Sequence, residues 1–158
     1  GVLMSVGIPS FNSMMQDNSQ TTQFNEFVAA INLARSEAVV RMERITICNS
    51  SNGSSCTNTQ SWEDGWIVFV DEDNDAVVDA GEEILQVHSA LVGGATLTGN
   101  ASVDDYISYM PSGMTRLTGG GFQAGTITLC DSRGASEAVA LIINATGRPR
   151  MTDVVTSC

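Results

Sequence analysis

Lysine is absent from the 158 residues, histidine occurs once and proline three times. The seven basic residues are therefore all arginines, set against eighteen acids for a formal net charge of −11. Such an acidic chain is a poor candidate for broad electrostatic binding to nucleic acid, although a small local basic patch is compatible with it. Catalysis finds few candidates. His88 lies in a short apolar stretch, where a packed or edge residue is expected rather than a base. No serine stands in a Gly-x-Ser-x-Gly elbow, and no CxxC or Cys/His spacing suggests a metal centre. The run Gly119-Gly120-Gly121-Phe122-Gln123-Ala124-Gly125 leads into a strand pattern rather than a helix, which argues against a helix-terminal phosphate cradle. The protein is not expected to be an enzyme. A long hydrophobic run is missing too: Val2-Leu3-Met4-Ser5-Val6-Gly7-Ile8-Pro9 is mostly apolar but far short of the ~20 residues that span a bilayer. It reads equally as the last turns of a longer apolar helix or as a core strand or frayed terminus. The first residue is Gly rather than Met, so a processed or trimmed chain is expected.

What is present is the composition of one folded domain, 42% hydrophobic and 16% charged, with abundant Gly, Ser, Thr and Asn that favour turns and short strands. The charge is uneven. Nine acids lie between Glu63 and Glu83 with no basic residue among them, whereas from Tyr106 onward four arginines outnumber three acids. Four cysteines, at 48, 56, 130 and 158, suggest two disulfides and an oxidising compartment. Three pairings are possible. Cys48–Cys56, closing a short Ser/Asn/Gly loop, and Cys130–Cys158, tying the C-terminal region to an inner strand, are favoured.

Phe24, Phe27, Val28, Ile31, Ala34, Ala38 and Met42 recur at spacings of three and four, the apolar stripe of an amphipathic helix. Pro9 and the polar stretch 16–23 are expected to interrupt it. Strands are expected at 45–48, 66–70, 84–89, 95–97, 106–109, 126–129 and 138–143, with Trp66-Ile67-Val68-Phe69-Val70 apolar on both faces. One long helix followed by about seven short strands predicts an α+β domain, the helix packed on antiparallel sheet. No linker divides the chain: residues 1–44 form the helical part and 45–158 the β-rich part of a single domain.

Several residues, taken in order, resemble a known family. They are the apolar segment ending Ile8-Pro9-Ser10-Phe11, the helix bearing Ala34-Arg35-Ser36-Glu37-Ala38, and the strand with Cys48. Trp62-Glu63-Asp64-Gly65-Trp66-Ile67-Val68-Phe69 and an Asp-rich turn follow, then Thr146-Gly147-Arg148-Pro149-Arg150 and Cys158. Together they look like FimT- and GspH-type minor type IV pilins and pseudopilins across essentially the whole chain. The family's N-terminal peptidase site and the glutamate after it are absent here, so the expectation is a domain lacking most of its hydrophobic helix. The resemblance implies a precursor anchored in the inner membrane of a Gram-negative-type envelope, with a periplasmic domain later displayed on the pilus or cell surface. Its partners would be other pilins, reached through the N-terminal helix, and the Val2–Ile8 run would be the end of that helix.

Two places carry candidate chemistry. FimT-type pilins of transformable bacteria have a C-terminal Gly-Arg-x-Arg motif that contacts DNA, and Gly147, Arg148 and Arg150 match it. Glycine allows a turn, Pro149 stiffens it, and two guanidiniums can grip phosphates. Arg116 and Arg133 are candidates to extend the patch. In the acidic turn, Asp71, Asp73, Asp75, Asp79 and Glu82 occupy positions 1, 3, 5, 9 and 12 of an EF-hand-like loop, with the Val77 carbonyl at position 7. That spacing suits Ca²⁺, but position 6 is Ala76 rather than Gly and the flanks are strands, so a solvated acidic tip is favoured. Three functions remain open: a pilus-priming or tip minor pilin that binds double-stranded DNA for uptake, a type II secretion pseudopilin, and a Ca²⁺-dependent adhesive module.

Overall fold

The computed structural model describes the backbone of residues 4–158 and the side chains of residues 11–158 except Ala101. Val2 and Leu3, the start of the apolar run, lie outside the described residues. Helix α1 spans Met4–Arg41 without a break. Both expected interruptions are overturned. Pro9 removes one donor from the hydrogen-bond ladder but falls early in the helix. The polar stretch remains helical because its side chains bond to loops of the β-rich part. Gln20 Nε2 donates to the Glu137 carbonyl, and Gln23 Oε1 accepts from the Val92 N–H. Arg133 reaches both Asp17 and Gln20. Among the described residues, no helix is long and apolar enough to cross a membrane.

The helix buries Phe24, Phe27, Ala30, Ile31, Ala34 and Ala38. The stripe is as expected at five of these positions. Ala30 joins it, while Met42 does not: at φ 59° it takes the left-handed conformation just past the helix end and is exposed.

Eight strands follow, in two four-stranded antiparallel sheets. The first sheet contains β1 (Ile45–Asn49), β2 (Trp66–Val70), β3 (Ile84–His88) and β5 (Tyr106–Tyr109), ordered β3-β2-β1-β5. The second contains β4 (Thr96–Gly99), β6 (Gly125–Cys130), β7 (Val139–Ile143) and β8 (Pro149–Thr152), ordered β4-β6-β7-β8. Strand β8 was not expected. Four residues with an initial proline and an arginine give no strand pattern, yet an edge strand tolerates proline where its missing N–H faces outward.

Period-two alternation explains the layers. Ile45, Ile47, Val68, Val70, Ile107 and Tyr109 share the inner face of the first sheet and meet α1. Leu97, Ile127, Leu129, Leu141 and Ile143 bring the second sheet into the same core. Phe27 lies edge-on to Trp62 and to Trp66, at 5.3 and 5.1 Å between ring centroids. The outer face of the first sheet has its own small cluster of Cys48, Ile67 and Phe69, which is why β2 reads as apolar on both sides. Disulfides Cys48–Cys56 and Cys130–Cys158 both form as favoured. His88 stacks on Trp66 and its Nε2 lies 3.1 Å from Glu26, a packed residue joining β3 to α1.

Phe27 is fully buried between the helix and both tryptophans. Phe27→Ala is expected to destabilise the domain by ~3–5 kcal/mol in urea unfolding, while an exposed control, Val40→Ala, stays within about 0.5 kcal/mol.

Candidate functional site

The hairpin between β7 and β8 carries the arginine motif. Asn144 organises it: its carbonyl accepts from Gly147 N–H at 2.8 Å, and its Oδ1 accepts from the Thr146 hydroxyl and the Arg148 N–H. Gly147 has φ 75°, and a Cβ there would collide with the Gly113 carbonyl oxygen and the Tyr109 ring. Glycine is therefore required twice, by conformation and by space. The buried Tyr109 hydroxyl donates to the Gly147 carbonyl at 3.2 Å, and the Thr115 hydroxyl lies 3.1 Å from the Asn144 carbonyl oxygen.

Arg148 and Arg150 are exposed two residues apart. Arg150 pairs with Ile142 across the β7–β8 ladder, and so stands on the outer face of the second sheet with Thr126. Among the described residues, neither guanidinium has a hydrogen bond or an ion pair. The other five arginines are engaged. Arg41 meets Glu37 and Glu83, Arg35 the Gly113 carbonyl, and Arg44 the carbonyls of Arg116 and Leu117. Arg116 donates to the Gly120 carbonyl and lies over the Phe122 ring. Arg133 is held by Asp131 and Asp17. Its hydrogen bonds push the Asp131 carboxyl below its usual range, and those two acids in turn raise the Arg133 guanidinium. Arg116 and Arg133 are thus committed elsewhere and do not extend the patch.

The acidic turn between β2 and β3 brings Asp71, Asp73 and Glu82 within 4.8 Å of one another, and likewise Asp73, Asp75 and Asp79. These carboxylates could offer oxygens to a hard cation. Three of them are also already at work as turn caps. Buried Asp71 accepts from the Thr46 hydroxyl at 2.6 Å and from the N–H groups of Asp75 and Ala76. Asp75 accepts from Val77 N–H, and Glu82 from the N–H groups of Glu72 and Asp79. Ala76 adopts φ 61°, the left-handed conformation that glycine supplies at this position of an EF-hand. The turn thus closes through its own acids.

The motif itself was legible; its docking was not. Tyr109 and Gly113 stand 38 and 34 residues before Gly147, and no local spacing announces that they meet it.

Residues 23–147 match the family described as type II transport protein GspH. None of the curated proteins is significantly similar to this chain. Among solved structures, the fold is similar to the type IV minor pilin FimU of Pseudomonas aeruginosa in two crystal forms. The P21 form gives a TM-score of 0.65 at 19% identity, covering 90% of this chain and 92% of that one. The P65 form gives 0.60 at 19% identity, covering 81% and 88%. The minor pseudopilin EpsH of the Vibrio cholerae type 2 secretion system is similar at TM-score 0.54 and 9% identity, covering 85% of this chain and 96% of that one.

Burial pushes the Tyr109 phenol well above its usual value, against a small opposing effect of Arg35. A folded-state value raised above that of the unfolded chain contributes stability that is complete below about pH 10 and is lost as the pH rises beyond it. Tyr109→Phe is therefore expected to cost ~1 kcal/mol at pH 7 through the lost bond to Gly147, and to flatten the decline in urea midpoint between about pH 10 and 11.

Proposed function

The chain belongs to the family of type II transport protein GspH, and from that premise we propose that it serves a type IV pilus and grips double-stranded DNA through Arg148 and Arg150. At the coarser level it is a minor pilin or pseudopilin, a structural subunit and not an enzyme. Such subunits are assembled in the cell envelope. On this proposal the domain lies in the periplasm before assembly, anchored by a hydrophobic segment preceding α1, and other pilins pack along the helix.

One observation carries the DNA reading: of the seven arginines, the two in the motif are those whose guanidiniums the described fold leaves free. A fold that consumes five of its cations internally and exposes two on one hairpin presents a small anion grip. Two phosphate contacts make a weak, sequence-independent and salt-sensitive site, with log K falling by roughly 1.8 per decade of salt. Several copies or neighbouring subunits would raise the effective affinity. Seven of the eighteen acids lie in the β2–β3 turn of the other sheet, and the hairpin itself carries no acid between Glu137 and Asp153.

The second reading is a secretion pseudopilin, favoured by the family's own description, in which the same two arginines meet an acidic surface of a partner subunit. A gel-shift with duplex DNA at low and moderate salt separates the two. The parent domain should retard DNA at low salt and release it at moderate salt, and Arg148→Gln/Arg150→Gln should not retard it, with an unchanged melting midpoint. A double variant that shifts DNA as well as the parent would remove the DNA reading.

A further inference from the structure

Resting on the DNA reading, we infer that Arg35 of helix α1 is a positioning residue that holds the β7–β8 hairpin in its gripping shape without touching DNA itself. Three contacts in series connect the helix to the hairpin. Arg35 Nε donates to the Gly113 carbonyl at 3.2 Å. The same carbonyl oxygen is the surface on which Gly147 packs so closely that no Cβ would fit. Gly147 then leads directly into Arg148, whose N–H is held by Asn144 Oδ1.

The segment between these contacts is itself fixed. Residues 110–114 close on themselves through Met110 N–H to the Met114 carbonyl at 2.9 Å and Gly113 N–H to the Met110 carbonyl at 2.8 Å. Gly113 has φ 75°, and a Cβ added to it would meet Val39 Cγ2 at 3.3 Å and Arg35 Nε at 3.5 Å. The Gly113 carbonyl oxygen thus stands between the helix and the hairpin, accepting from Arg35 and packing against Gly147. Tyr109, which bonds to the Gly147 carbonyl, belongs to β5 and to the same core as α1.

The consequence is preorganisation. Because the backbone of the hairpin is fixed before a ligand arrives, binding has only to order the two arginine side chains rather than a whole loop. A small two-cation site depends on that saving more than a large basic surface does.

The test uses Arg35→Met in the whole chain, with two readouts. First, without DNA, amide hydrogen exchange at Gly147 and Arg148 should accelerate by about three- to thirtyfold, while core amides such as those of Val68 and Ile107 are unchanged. Second, duplex DNA affinity should fall by a similar factor while the slope of log K against log salt stays that of the parent. Arg148→Gln, which removes a phosphate contact, should instead reduce that slope by roughly 0.9. Unchanged exchange at 147 and 148, or equal acceleration at every amide, overturns the inference. So does a reduced salt slope in Arg35→Met, which would make Arg35 a contact residue, or an unaltered affinity despite a loosened hairpin. If the parent binds no DNA, the DNA reading fails by itself, and exchange alone decides whether Arg35 holds the hairpin.

Discussion

Phe27 standing edge-on to Trp62 and Trp66 is the contact on which the rest of the molecule depends. Each sheet turns an apolar face inward, and the α1 stripe together with Trp62 gives both inner faces a common surface to cover. The small residues Ala30, Ala34 and Ala38 let the helix lie close to the first sheet, and the aromatic residues fill the rest of the shared core. Burying each large side chain contributes ~1.5–3 kcal/mol, so this seam outweighs any single surface ion pair. The Trp62 indole N–H also bonds to the Val103 carbonyl at 3.1 Å, which ties the seam to the approach to β5.

Charge is arranged around that seam rather than within it. The β2–β3 turn uses its acids to cap its own N–H groups, with Asp71 buried behind the hydroxyls of Thr46 and Ser108. Thr46 has one proton and gives it to the carboxylate, so Ser108 donates to the Thr46 oxygen. Five arginines are bound to carbonyls or acids and stabilise junctions between helix, loops and sheets. The two left over share one hairpin, on the sheet that does not bear the acidic turn. Composition alone argued against an anion site; the distribution of partners is what allows one.

The architecture was largely legible because its determinants are local and periodic. Spacings of three and four located α1, and alternating β-branched residues located the first seven strands within one or two residues of their ends. The errors have physical causes. Met42 fits the helical spacing, but the chain turns left-handed there. The stretch 16–23 was expected to break because its residues are weak helix formers, and contacts from Arg133, Glu137 and Val92 override that preference. Strand β8 is short and starts with proline, so only its pairing with β7 reveals it. The arginine motif could be picked out by its residues, but whether each arginine is free is a tertiary property. Arg133 and its partner Asp17, for example, are 116 residues apart.

The central claim is that the hairpin after β7, and no other surface of this acidic domain, meets DNA. Titrating a short duplex into the isotopically labelled domain and following backbone amide signals locates the contact directly. The account predicts shifts confined to residues 144–152 and the adjoining 113–115, reversed by added salt, with the signals of 71–83 unmoved. Shifts centred elsewhere, or none at low salt and high DNA concentration, would contradict it.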